Sequence, residues 1–175
     1  MICNGRTLIE RAPIVGMFDK KYSSYGVSHG LGEAGYDIRI KQSVLFKPDG
    51  WGDGKRTAAT KWHDEAGVQH GTCEYGRFVI ASAMEEFDMP YNLVGIVHDK
   101  SSWARRGLSV FNTVIEPGWK GFLTLELVYH GNGELIIPAG AGIAQVVFHH
   151  TTDAAEYSGR YQNQADEPVA AIELR

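Results

Sequence analysis

The octapeptide Phe122-Leu-Thr-Leu-Glu-Leu-Val-Tyr129 decides how this chain is read. Successive side chains of a β-strand point to opposite faces, so Leu123, Leu125 and Leu127 share one face while Thr124, Glu126 and Val128 share the other. With the leucines in a core, Glu126 points at whatever covers the opposite face. A glutamate in that position is ordinarily a solvated carboxylate on an exposed strand. In a cleft that excludes water its pKa rises towards neutrality, and the same group can shuttle a proton. Taken alone, the strand leaves both readings open.

Working outward, short runs rich in Val, Ile, Leu, Phe and Tyr recur at Tyr36–Phe46, Phe78–Ala83, Leu93–His98, Leu108–Ile115, Glu134–Ile137 and Ile143–His150. Gly, Pro and Asn/Asp punctuate them, which predicts an all-β chain folded as a sandwich or small barrel. Helix signals are confined to Thr7–Ala12 and to one or two turns over Ser101–Arg106, with Asp99 or Ser101 as N-cap. Asp49–Thr72 is Gly-rich, charged and aperiodic, and reads as a long loop or arm. The residues after Thr151 form a polar, mobile-looking tail that holds little from which to build a core. No repeat or linker divides the chain, so residues 1–175 are expected to be one domain with 152–175 as its C-terminal tail.

The 17 Lys+Arg and 21 Asp+Glu leave a formal charge of −4, and no basic stripe is present to grip a nucleic-acid backbone. A chain of this length buries roughly two-thirds of its unfolded surface, enough for a core without staples. Cys3 and Cys73 cannot make a disulfide framework, no charged-then-apolar leader is visible, and the apolar runs are too short to span a bilayer. The expectation is a soluble, cytoplasmic protein with a small-molecule partner, no nucleic acid and no membrane. Zinc deaminases need a set such as H-x-E with P-C-x-x-C. Here the cysteines stand alone and no two of the seven histidines are four apart. Adjacent His149 and His150 would face opposite ways on a strand, so no protein metal site is expected. A nucleophile elbow, a Walker loop and a dinucleotide fingerprint are likewise missing.

Three other stretches carry chemistry. In His98-Asp-Lys-Ser-Ser-Trp-Ala-Arg-Arg-Gly107, Ser101 and Ser102 open a short helix, with Lys100 before them and Arg105 one turn on. Backbone N–H groups, hydroxyls and a guanidinium so placed suit phosphate, although serine pairs cap helices more often than they bind anions. In Val114-Ile-Glu-Pro-Gly-Trp-Lys-Gly121, Pro-Gly predicts a type II turn with a positive φ at Gly118, followed by Trp119. Glu116 on its lip either touches a sugar hydroxyl or is solvated. Tyr157-Ser-Gly-Arg-Tyr-Gln-Asn-Gln164 is dense in donors and aromatics. Either it is a plain polar tail, or it folds over a bound anion as a lid, with Arg160 as its cation and amides that read a base edge.

Together these stretches resemble the dCTP deaminase branch of the dUTPase superfamily. Gly35-Tyr-Asp-Ile-Arg39, Gly142-Ile-Ala-Gln-Val146 and the tail Gly159-Arg-Tyr-Gln-Asn-Gln164 agree in order with it, and the match runs from about residue 30 to 165. The resemblance implies a distorted jelly-roll-like β-barrel of the dUTPase kind with one or two short helices, assembled as a homotrimer with active sites between subunits, over which the C-terminal tail, residues 152–175, closes. It implies hydrolytic deamination of dCTP to dUTP and ammonia, without zinc and with Mg2+ bound through the triphosphate. Glu126 matches the family's catalytic glutamate, and Ser101 and Arg105 match the serine and arginine that complete its surroundings. Lys100 and Ser102 fall on the same phosphate-binding turn. Arg160, Tyr161 and Gln164 match the tail's lysine, tyrosine and glutamine. Arg for Lys at 160 keeps the charge but changes its geometry. Trp119 and Gln145 within the matched segments, and Tyr157 at the head of the tail, complete the expected substrate-binding set with Glu116 and Asn112.

Two departures bear on this. The segment between Leu108 and Glu116 is about two residues shorter than the family's base-and-sugar hairpin, so only Asn112 is carried forward as a contact there, and feedback by dTTP, which depends on that hairpin, stays open. Glu116 stands where dUTPases carry the aspartate that activates water against the α-phosphate. Its longer side chain displaces the carboxylate by roughly one C–C bond, while in-line attack needs reacting atoms within ~3–3.5 Å. That argues against efficient pyrophosphatase action. The alternatives are a dUTP pyrophosphatase, a bifunctional enzyme that carries dCTP to dUMP, and a non-catalytic nucleotide-binding regulator. The retained Glu126, Ser101 and Arg105 weigh against the last.

Overall fold

The computed structural model describes residues 1–46 and 72–173. In chain order these form β1 (Ile2–Cys3), α1 (Gly5–Arg11), β2 (Lys21–Ser24), β3 (Val27–Leu31), β4 (Tyr36–Arg39), β5 (Ser43–Phe46) and β6 (Thr72–Tyr75). There follow β7 (Phe78–Asp88), β8 (Leu93–Asp99), α2 (Ser101–Ala104), β9 (Leu108–Val110), β10 (Val114–Ile115), β11 (Lys120–Tyr129), β12 (Leu135–Ile137) and β13 (Gly142–His150). The expected loop Asp49–Thr72 lies outside the described residues, except that Thr72 opens β6.

The strands make three sheets that do not close into one barrel, a distorted jelly-roll-like arrangement. The largest runs β10-β8-β13-β4-β3-β2, with β1 added on β13. The second is β7-β11-β9 and the third β12-β5-β6, where β5 and β6 are parallel. The leucine face of β11 is the core face, with Leu125 and Leu127 at 1% and 0% exposure. Around it pack Tyr36, Phe46, Phe87, Trp103 and Phe148, all buried. Each such side chain contributes about 1.5–3 kcal/mol through removal from water.

Two of the strand-like runs prove to change sheets partway along. Tyr36–Phe46 breaks into β4 and β5 at residues 40–42, where Lys41 N–H reaches the carbonyl of Ser82 on β7. Buried Gln42 donates to the Ser82 hydroxyl (2.9 Å) and accepts from its N–H (2.8 Å), so this corner leaves no side-chain amide unpaired. Leu108–Ile115 likewise breaks into β9 and β10 because the chain leaves β11, where Phe111 N–H meets the Glu126 carbonyl, and joins β8, where the Thr113 carbonyl accepts from Val97. Core residues line both halves of each run, so hydropathy alone does not mark the crossing.

β7 is longer than expected for a related reason. Glu85 interrupts the apolar alternation, yet it is buried because Arg39 of β4 supplies its Nε and its N–H, each at 2.8 Å. That pair fastens the first sheet to the second. The second helix is a single turn whose N-cap is Lys100, because the Asp99 carboxylate is taken by Val110 N–H at 2.7 Å. Tighter bonds from Arg106 to Trp103 and from Gly107 to Ala104 end it. Among the described residues no helix is long and apolar enough to cross a membrane.

Candidate active site

On the face of β11 opposite the leucines, Glu126 lies among apolar neighbours. Ile80 stands directly across on β7, Val128 pairs with Phe78, and Phe111 bonds the Glu126 carbonyl from the other side. The carboxylate is half-buried, and that burial pushes its pKa above the ordinary carboxylate range, against a smaller opposing effect from its own backbone N–H. This is the environment expected of a proton carrier near neutral pH.

The space in front of Glu126 is a cleft of about 700 Å³. One wall is the turn after β10. Trp119 N–H bonds the Glu116 carbonyl at 3.1 Å, and Gly118 takes the positive φ (73°) that the Pro-Gly pair predicts. Trp119 packs 6.0 Å from Phe87, and its indole N–H donates to the Tyr161 carbonyl at 2.6 Å.

The tail forms another wall, and it does so as ordered structure. β9 pairs with β11 only from Leu127 to Tyr129, so the first half of β11 has an open edge. Gln164 fills it, accepting from Phe122 N–H at 3.1 Å and donating to the Lys120 carbonyl at 3.3 Å. The Gln162 side chain accepts from Lys120 N–H (2.8 Å) and donates to the carbonyls of Gly118 (2.9 Å) and Tyr157 (3.1 Å). One of the amides that the sequence offers for reading a base edge therefore holds the chain's own turn.

This docking requires a glycine. Gly121 has φ +124°, and a β-carbon there would collide with the backbone nitrogen and oxygen of Gln164. Gly121→Ala is therefore expected to release the tail. The measurement is limited trypsin digestion after exposed Arg160, which should become at least about tenfold faster if local opening loses one hydrogen bond's worth of protection.

Of the residues singled out from the sequence, Glu116, Trp119, Glu126, Tyr157, Tyr161 and Gln164 line this cleft together. The others lie outside its lining. Lys100 is buried, its ammonium committed to Asp37 Oδ2 (2.5 Å) and the Ser28 hydroxyl (2.9 Å). Ser101 and Arg105 are exposed on α2 and at its C-cap, with Ser102 half-buried between them. Asn112 is exposed beside Thr113, which does line the cleft. Gln145 sits on β13 in register with Asp37 and His98, on the sheet face away from the core. Arg160 is exposed and donates to the Ile172 carbonyl at 3.4 Å. Among the described residues lining the cleft there are two carboxylates and neither Lys nor Arg. No group of three or more His, Cys, Asp or Glu among the described residues is placed to hold a metal ion.

Sequence reasoning missed Thr113, Thr124, Ile80 and the segment Val169–Ala171, all of which line the cleft. Thr124 had a usable signal, because it shares a strand face with Glu126 two residues away. Ile80 and residues 169–171 had none, since only the folded chain brings them there.

A family model described as dCTP deaminase-like matches residues 19–151. Among curated proteins, a dCTP deaminase of Campylobacter curvus is 32% identical over 165 residues, covering 89% of this chain and 87% of its own length. A dCTP deaminase of Helicobacter pylori is 29% identical over 169 residues, covering 89% and 88%. Among solved structures, a 2′-deoxycytidine 5′-triphosphate deaminase from Agrobacterium tumefaciens superposes with a TM-score of 0.55 at 16% identity. That likeness of fold spans 86% of this chain and 48% of the other.

Proposed function

Because the chain belongs to the dCTP deaminase-like family, we propose that it hydrolyses dCTP to dUTP and ammonia, with Glu126 as the proton carrier. The observation that carries this reading is a half-buried carboxylate of raised pKa in a cleft large enough for a nucleoside. Glu126 takes a proton from water as the oxygen bonds to C4, and passes it to N3. It then takes the remaining hydroxyl proton and delivers it to the exocyclic amine, so the C4–N bond breaks, ammonia leaves and a C4 carbonyl forms. The carboxylate ends as it began, and one water is consumed for each ammonia.

The triphosphate must find its cations elsewhere. Two carboxylates without Lys or Arg repel phosphate, and within one chain the Ser101–Arg105 turn lies outside the cleft lining. We read the protein as a single domain, residues 1–175, that assembles as a homotrimer in which this turn of one subunit completes the cleft of its neighbour. Ser101 and Arg105 then face Glu126, and Ser102, Arg160 and Gln164 serve the phosphates, while Lys100 stays committed to Asp37 and Ser28 and braces the turn from within. Mg2+ enters as part of the substrate, held by phosphate oxygens and water, which suits its reluctance to shed its hydration shell. We place the reaction in the cytoplasm, with dTTP as a candidate inhibitor at the same cleft.

The second reading is a pyrophosphatase that uses Glu116, which lines the same cleft although its side chain is one bond longer than the aspartate such enzymes carry. Measuring ammonia and pyrophosphate together, from dCTP and then from dUTP, separates the two. The expected result is ammonia from dCTP without pyrophosphate from either. Pyrophosphate from dUTP without ammonia from dCTP would replace the deaminase reading with the pyrophosphatase one.

A further inference from the structure

Two residues before Glu126, on the same face of β11, Thr124 is 7% exposed and lines the same cleft. Its hydroxyl oxygen accepts the N–H of Val169 at 3.0 Å. A hydroxyl carries one proton and two lone pairs, so this bond uses a lone pair, fixes the side chain and leaves the proton to donate. Among the described residues nothing accepts that proton. A donor held in that state inside a cleft recognises a ligand atom with lone pairs.

The proposed reaction fixes which atom. Glu126 has to reach N3 and C4 of the pyrimidine, and the ring carbon on the other side of N3 bears the carbonyl oxygen O2. Residues two apart on a strand lie roughly 7 Å from Cα to Cα, a gap that the N3–O2 edge spans with one hydrogen bond of about 2.8 Å at each end. The geometry points to Thr124 as a residue that donates its hydroxyl proton to O2 of the bound pyrimidine. This deepens the deaminase reading, and rests on it for the placement of the base against Glu126.

The contact acts on orientation and on rate. It turns the N3–C4 edge of the ring, and not the C5–C6 edge, towards the carboxylate. As oxygen adds at C4, the electrons of the C4–N3 double bond move onto N3 and, through C2, onto O2 until N3 is protonated. A donor aimed at O2 holds that developing charge. The described lining offers two carboxylates and neither Lys nor Arg, so within one chain a neutral hydroxyl is the donor placed to do this. The hydroxyls of Tyr157 and Tyr161 also line the cleft, but they stand on the tail and not on the strand that sets the distance to Glu126. O2 is common to cytosine and uracil, so the contact orients the ring without telling the two bases apart.

Thr124→Val keeps the β-branched shape and removes the donor. It also takes the acceptor away from Val169, so lost activity alone does not separate a substrate contact from a loosened tail. Replacing O2 by sulfur does. Sulfur is a poor acceptor, and any intrinsic effect it has on reactivity is the same in both proteins and cancels in the ratio. The measurement is kcat/KM for ammonia release from dCTP and from 2-thio-dCTP, in wild type, Thr124→Val and Thr124→Ser. The preference for dCTP is expected to shrink about tenfold from wild type to the valine variant, and to return with serine. A preference that valine leaves unchanged overturns the proposal, because a loosened tail slows both substrates alike. Should the wild-type protein release no ammonia from dCTP, the deaminase reading fails separately. The same ratio, read as Kd for dUTP and 2-thio-dUTP by calorimetry, then decides the Thr124 contact, and an unchanged ratio overturns it there as well.

Discussion

Glu126→Gln will stop ammonia release from dCTP, by at least about 10³-fold in kcat, while nucleotide Kd stays within about threefold. The substitution keeps the shape of the side chain and its place between Ile80 and Phe111, and removes only the ability to accept and return a proton. A merely structural glutamate would give the opposite pattern, weaker binding with turnover largely kept. Stability supplies the control. The folded pKa of Glu126 is raised by burial, so the folded state holds its proton more tightly than the unfolded chain does. Stability from this group is therefore present at low pH and lost as pH rises through the raised value. At neutral pH the ionised Glu126 is a cost to the fold, and the glutamine variant should melt no lower than wild type, with the two curves converging in acid. Loss of turnover together with a lower Tm would mean that the substitution damaged the fold instead.

The strand that carries Glu126 was legible because its signal is local. Three leucines at period two, with 123, 125 and 127 all buried, specify both the strand and the side from which position 126 projects. The turn at Pro117-Gly118 was legible for the same reason, since a Pro-Gly pair leaves few backbone choices. What the sequence does not display are features made by distant partners. Glu85 looks like the end of a strand until Arg39, 46 residues earlier, is set beside it. Lys100 looks like a free phosphate ligand until Asp37 and Ser28 close on it. The tail reads as loose polar chain, yet its ordering comes from bonds spanning 42 to 45 residues, from Trp119 to Tyr161, Lys120 to Gln162 and Val169 to Thr124. Its docking edge exists only because β9 stops pairing with β11 at Leu127. No periodicity or composition encodes where a neighbouring strand ends. The sheet-switching corners at 40–42 and 111–113 are hidden for a like reason, because Lys41-Gln42 and Asn112-Thr113 are short polar interruptions with no Gly or Pro to mark a change of partner.

The separation of Glu126 from the Ser101–Arg105 turn leads to the second large effect. Arg105→Ala should lower turnover by at least about 10²-fold, as loss of a charge-stabilising donor at a reacting centre does. On its own that would not say which subunit supplies the arginine. Mixing does. Two variants, Glu126→Gln and Arg105→Ala, are each inactive, but after subunit exchange a site can draw its glutamate from one chain and its arginine from another. With equal amounts and random assembly, half the glutamates and half the arginines are intact, so about a quarter of the sites hold both and about a quarter of wild-type ammonia release returns. Exchange is verified by native mass spectrometry of differently tagged subunits. Recovery to about that level is the predicted result. Mixed oligomers that form and stay inactive would contradict a site shared between chains, and with it the account of how a cleft lined by carboxylates without a cation and one distant serine–arginine turn make a deaminase.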